Sequence, residues 1–241
     1  MPGGHYIALS GLRSRADDLD RIATDIANIG TAGYKGERER RTAVERDSFD
    51  TALQTAIDTT SGGRRLDLTG GAISTTGRPL DLAIDGDGFF AVETANGTRY
   101  TRNGQFTRDA AGQLTTAEGG VVMGAEGPIV LGNDGGKINV DADGSVWVGA
   151  TQAGRLAVVT FEDPSLLQRE GSTLLRADGQ TAQAVAAPVV RSGSLEQSNV
   201  TVADRIAELT TVSRSFEALQ KSISIMLNDV DGRAIDYFGR R

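Results

Sequence analysis

The amino-acid sequence predicts an α+β chain in which N- and C-terminal helices form a coiled-coil-like pair, with a central all-β domain between them. Three observations carry this prediction. An apolar seam at heptad spacing lies near each end, short β-branched and aromatic runs alternate with turn residues in the middle, and 31 glycines accompany a single Trp in 241 residues. Glycine concentrates where a backbone must turn with φ > 0, so this composition suits a β-rich centre and not an all-helical chain. The segments that follow are 1–35 (N-terminal helix), 36–65 (extended connector), 66–199 (central β domain), 200–232 (C-terminal helix) and 233–241 (tail).

The N-terminal helix rests on residues 6–29, where Leu12, Leu19 and Ile26 recur seven apart and Ile22 and Ile29 fall three beyond the last two. That spacing places them on one helical face. Gly30 and Gly33 stop the run, as residues that a C-cap accepts and a helix interior disfavours. At about 1.5 Å per residue the helix would be on the order of 35 Å long. Residues 36–65 are polar and charged, then rich in Thr, Ser and Gly around TTSGGRR, and they read as a connector.

The centre reads as strands bounded by Gly, Asp and Asn. Leu80–Ile84 and Phe89–Val92 flank Asp85-Gly86-Asp87-Gly88, and Ile138–Val140 and Val146–Val148 flank Asp141-Ala142-Asp143-Gly144. Both pairs are expected to be hairpins. Further strands are expected at Val121–Met123, Ile129–Leu131, Leu156–Phe161 and Val185–Val190.

The C-terminal helix has the stricter period. Val202, Leu209, Phe216, Ile223 and Val230 recur at sevens, and Val212, Leu219 and Met226 follow three after their predecessors. Asn199 or Thr201 can cap it, Asp204 and Glu208 suit the positive end of the helix dipole, and the run is expected to end near Asp231 and Gly232. One amphipathic helix would simply face its own core. Two seams at opposite ends read instead as a pair whose outer faces meet other chains, with Leu12, Leu19, Ile22, Ile26, Ile29, Val202, Leu209, Val212, Phe216, Leu219, Ile223 and Met226 as the packing residues.

Charge narrows the function classes. The formal net charge is −7, with residues 1–46 at +1, residues 200–241 at 0 and the middle holding −8. An acidic centre between balanced ends argues against nucleic acid, whose binding depends on neutralising phosphates. The basic residues Lys35, Arg38, Arg40 and Arg41 are interleaved with Glu37 and Glu39 and read as a solvated stretch. With no cysteine there is neither a disulfide framework nor a thiolate metal site. No run approaches the roughly 18 apolar residues of a membrane span, and the start of the chain lacks the basic and apolar regions of a cleaved secretory signal.

Catalytic and cofactor chemistry finds little support. The two Asp-rich turns lack the third carboxylate and distal Glu of a calcium loop, and read as hairpin turns. The single histidine, His5, excludes a two-histidine metal site and argues against a Ser-His-Asp triad. Glycine-rich TSGGR and GDGFF lack the Lys-Ser/Thr of a phosphate loop. No catalytic residue, cofactor or metal is expected. A polysaccharide-binding β module remains the rival class, for which 5% aromatic content offers few stacking residues.

Three motifs bring a family resemblance. IANIGTAGYK (26–35) is similar to the signature that closes the N-terminal helix of the flagellar rod and hook family of axial proteins, through Ala27, Asn28, Thr31, Gly33, Tyr34 and Lys35. RPLDLAIDGDGFFAV (78–92) with YTRNGQFTRDAAGQL (100–114) resembles the family's core β block. SGSLEQSNV (192–200) resembles its entry to the C-terminal helix, through Gly193, Leu195, Glu196, Ser198, Asn199 and Val200. Two stretches depart from the pattern: Thr24-Asp25-Ile26 stands where the family commonly has an Asn pair, and the tail DGRAIDYFGRR is unusual. Within the family, short rod subunits lack a central β domain and hook subunits are much longer. RPLDLAI, GAEGPIVLGNDGGKINVDADGSV (124–146) and DGRA look more like the proximal than the distal rod type. The resemblance implies a torque-carrying subunit in the periplasmic rod of the basal body. It would be exported by the flagellar type III machinery without a cleaved signal, with copies of itself and other rod proteins as partners, no nucleic acid and no membrane insertion.

Overall fold

Of the 241 residues, the computed structural model describes 2–39, 64–132 and 136–238. Most of the expected connector, 36–65, and the end of the tail lie outside the described residues. The chain divides into two units, one containing the helices and the other spanning residues 28–38 and 65–201.

The β unit is built on a strand that the sequence makes apolar on both faces, Phe89–Thr94. It pairs with Gly97–Thr101 through a two-residue turn and, on its other edge, with Val121–Gly124 and Val158–Thr160. The sheet extends from there, through Leu174–Arg176 to Gln168–Glu170 on one side and through Leu114–Thr116 to Phe106–Arg108 on the other. Because successive side chains of a strand point to opposite faces, Phe90 and Phe89 enter different cores. Phe90 joins Leu82, Phe106, Leu114, Val122, Ile129, Val146 and Val158; Phe89 joins Leu66, Val159, Phe161, Leu167 and Leu175. Edge-on ring pairs close each core, Phe90–Phe106 at 5.2 Å and Tyr100–Phe161 at 4.8 Å between centroids. Each such pair contributes about 0.5–1.5 kcal/mol beyond its buried area.

One expected hairpin forms and the other does not. Ile138–Val140 pairs with Ser145–Val148 across Asp141–Gly144, with Val140 opposite Val146. Leu82–Ile84, by contrast, pairs with Val190–Ser192, more than a hundred residues away. Asp85 donates its N–H to Val189 O and its carboxylate binds Arg191, so the Asp-Gly-Asp-Gly turn hands the chain on to the next layer. Gly88 is required there: at φ 133° a Cβ would lie 2.7 Å from Val158 Cγ1. Ile129 and Leu131 are buried but stand outside the main ladder, and of the stretch 185–190 only Val190 is in a strand.

The helical unit contains α1 (Pro2–Ala27) and α2 (Val202–Phe238). The two run antiparallel, since Gly11 lies against Leu219 while Asp25 lies against Arg205. α1 stops before Gly30, whereas α2 passes through Gly232 to Phe238; an isolated helical Gly costs only about 1 kcal/mol relative to Ala.

The expected fold class is corrected by these findings. By number of elements the described residues are dominated by β structure, with nineteen strands and two α-helices. The β domain is central, but the helices are not a coiled-coil-like pair. Between residues 9 and 27 the fully buried positions of α1 are Asp18, Arg21, Ile22 and Asp25, a stripe with one apolar member. Val202 and Ile206 of α2 are half exposed, and Val212 is the one fully buried residue between 202 and 225. A coiled coil needs apolar knobs in the seam. Here charged side chains occupy its centre.

Candidate assembly site

Two side-chain clusters are candidates for what the chain does, one in each unit. In the β unit the three sequence motifs converge on one buried carboxylate. Glu196 lies on the strand Ser194–Glu196, which pairs with Ile73–Thr75. It is 2% exposed. Its Oε1 accepts from Lys35 Nζ at 2.5 Å and from Gly71 N–H at 2.9 Å, and its Oε2 accepts from Arg102 Nη1 at 3.2 Å. Lys35 also donates to Thr69 O, and Arg102 to Gly86 O. Burial lowers the Lys35 ammonium below its ordinary value, against the pull of Glu196. A carboxylate so enclosed is tolerable only with its acceptor positions filled.

The surrounding motif residues brace this contact. Gly33 donates its N–H to Glu196 O. At φ 68° its missing Cβ would stand 2.2 Å from Asn103 N, so no other residue fits. Tyr34 is buried beneath the Arg169 guanidinium, 4.2 Å from ring centroid to cation, and Arg169 also donates to Lys35 O. Asn199 Oδ1 accepts from Gly36 N–H while its Nδ2 donates to Asp67 O and Thr69 O. Thus the segment that follows α1 and the segment that precedes α2 are tied to each other within the β unit. Asn28 receives the Thr31 hydroxyl and N–H, Ser198 Oγ accepts from Val200 N–H, and Gly193 O accepts from Thr76 N–H. Leu195 and Val200 are buried, and Ala27 is the exposed last residue of α1.

In the helical unit, Arg21 Nη2 meets Glu208 Oε1 at 2.5 Å and Arg205 Nε meets Asp25 Oδ2 at 3.0 Å. Arg21 also faces Asp25, and Arg205 faces Glu208, so each cation touches a carboxylate on both helices. Burial pushes the Glu208 carboxyl up, but the two guanidiniums outweigh it and hold it below the usual carboxylate range. Of the seam residues, Ile22 and Val212 are buried; Leu12, Leu19, Ile26, Leu209, Phe216, Leu219 and Ile223 are partly buried; Val202 is exposed. Ile29 lies beyond the end of α1, and the Met226 side chain is outside the described residues.

Sequence reasoning named Lys35 and Glu196 but missed Arg102 and Arg169, and it gave the four interhelical charges no part in packing, reading Glu208 only as a helix-dipole residue and Asp25 only as a departure from the family motif. Arg102 was in plain view inside YTRNGQ. The signal for the others is charge at i, i+3 and i, i+4 beside an apolar seam, as in Arg21/Asp25 and Arg205/Glu208. The Asp-rich turns serve local structure: Asp143 caps Ser145, and Asp85 pairs with Arg191. Among the described residues, no group of three or more acidic or histidine side chains gathers to hold a metal.

A unit of two long paired helices, and a double-cored β unit in which the segments that follow α1 and precede α2 are cross-tied, define a scaffolding subunit, a class whose work is contact and stiffness. The family model described as the flagellar hook protein FlgE/F/G D1 domain matches residues 83–148, and that of the flagellar basal body rod FlgEFG protein C-terminal region matches 191–227. The chain is 35% identical to the flagellar basal-body rod protein FlgG of Bacillus subtilis, over 91% of this chain and 93% of that protein. It is 33% identical to FlgF of Caulobacter vibrioides, over 92% of each. With FlgF of Escherichia coli it shares 32%, over 95% of each. The chain belongs to the family of flagellar basal-body rod proteins, and it is a structural subunit of the rod.

Proposed function

We propose that the chain is the proximal-rod subunit, assembling with copies of itself and with other rod proteins along the periplasmic axis and carrying torque from motor to hook. The observation that carries the structural part of this reading is the convergence of three separated motifs on Glu196. Such a tie keeps the two chain segments at the helix roots together under load, because several buried contacts must break at once. The proximal assignment is supported by RPLDLAI, the block 124–146 and DGRA. Membership of the rod family supports export through the flagellar type III machinery without signal cleavage. The acidic centre disfavours nucleic acid, and among the described residues no helix is long and apolar enough to cross a membrane. Open helical assembly is the natural outcome of head-to-tail contacts that do not close into a ring.

The partly buried Leu209 and Phe216 are proposed as axial packing residues, with Leu12, Leu19, Ile26, Val202, Leu219, Ile223 and Met226. Two genetic tests address the two levels. Expressed in a bacterium lacking its proximal-rod gene, the chain should restore motility, and in one lacking its distal-rod gene it should not; the reverse pattern overturns the proximal assignment. Leu209→Glu or Phe216→Glu should abolish motility while the β unit stays folded, and Ser213→Glu should be milder. Normal motility in both variants would remove these residues from the packing face.

A further inference from the structure

The four interhelical charges raise a question that membership of the rod family does not answer. In α2 the apolar residues Val212, Leu219 and Met226 recur every seven positions, and α1 offers Leu12, Leu19 and Ile26 at the same interval. A slide of one helix by seven residues therefore replaces apolar residues by apolar residues. Hydrophobic burial is non-directional and cannot choose between such registers. Charge can.

We propose that Arg21, Asp25, Arg205 and Glu208 form a register pin that selects one antiparallel alignment of α1 and α2. In the observed alignment the contacts Asp25–Arg205 and Gly11–Leu219 are fourteen residues apart on both helices, so one register runs through the whole described contact. Arg21 and Asp25 are 5% and 1% exposed at the side chain. Sliding α2 one way would set Arg21 beside Ser215 and Asp25 beside Val212, stranding both charges. Sliding it the other way carries Arg21 and Asp25 beyond Val202, where α2 begins, but brings Arg205 to Asp18 and sets Glu208 opposite Ser14, next to Arg15. The second slide thus keeps one charge pair, Arg205 with Asp18, and the loss of partners for Arg21 and Asp25 is what chiefly opposes it. A buried polar group that fixes the register of packed helices is the best-attested use of such groups.

The test uses the full chain, whose lack of native cysteine leaves introduced thiols as the only ones. Gly11→Cys is combined with Val212→Cys, Leu219→Cys or Met226→Cys, and each pair is treated with a short thiol crosslinker. With the native charges, position 219 should dominate. In the Arg21→Gln/Asp25→Asn background the product should shift toward position 212, by about tenfold or more relative to the native background, with position 226 low. Crosslinking confined to position 219 in both backgrounds would overturn the proposal. So would equal yields at 212, 219 and 226, since the charges would then hold the helices together without choosing their alignment.

Discussion

Replacing Glu196 with Gln is the most direct probe of the convergence point. The substitution keeps the side-chain length and one acceptor oxygen but removes the charge that faces Lys35 and Arg102. Glu196 is 2% exposed and Lys35 is 4% exposed, so neither cation gains much water in compensation. Breaking one partner of a buried ion pair costs about 3–5 kcal/mol, because the remaining charge is left uncompensated. For a unit of about 150 residues each kcal/mol moves Tm by roughly 2–4 °C, which gives a fall of roughly 6–20 °C. Lys35→Met should cost less, since Glu196 keeps Arg102 and the Gly71 N–H. Thermal unfolding followed by near-ultraviolet circular dichroism, which reports Trp147 and the ring pairs of the β unit, measures both. A shift under 2 °C for Glu196→Gln would refute the reasoning: the carboxylate would then be adequately solvated or replaced by neighbouring groups.

Two further predictions follow from the same geometry. Gly33→Ala should destabilise the β unit by more than the roughly 1–2 kcal/mol of a left-handed backbone, because its Cβ also meets Asn103 N, whereas Gly30→Ala meets nothing and should stay within about 0.5 kcal/mol; urea unfolding compares them. Glu208 titrates below its ordinary value of 4.5 in the folded chain, so its contribution is fully present above that value and is lost as pH falls through the folded one. Helical circular dichroism should accordingly decline in acid below about pH 4.5, and Glu208→Gln should be weaker at neutral pH with a flatter acid profile.

The sequence carried the β centre, the second hairpin and the motif residues, and it did so for physical reasons. Alternating apolar residues and glycine turns record local geometry, and Val140 and Val146 are close enough in sequence to be paired by their own turn. The partner of Leu82–Ile84 was not legible, because a strand's apolarity states that it is covered without saying by what. The coiled-coil reading of the helix pair failed in a different way. Heptad spacing shows which residues share a face but not which arc of that face a neighbour covers. The stripe Asp18, Arg21, Ile22 and Asp25 also looks like an ordinary solvated helix flank until Arg205 and Glu208 are placed opposite. Glu196 was recognisable only as a motif letter; its role depends on Lys35 and Arg102, which lie 161 and 94 residues away.

The strand Phe89–Thr94 has a mechanical consequence. Phe89 and Phe90, and likewise Val159 and Val158 on the neighbouring strand, send alternate side chains into the two cores. Neither core can loosen without displacing a strand that also walls the other. Shear applied to one face is therefore shared by both, like a load on a beam with a common web. The unit should yield all at once at a high threshold instead of shedding layers.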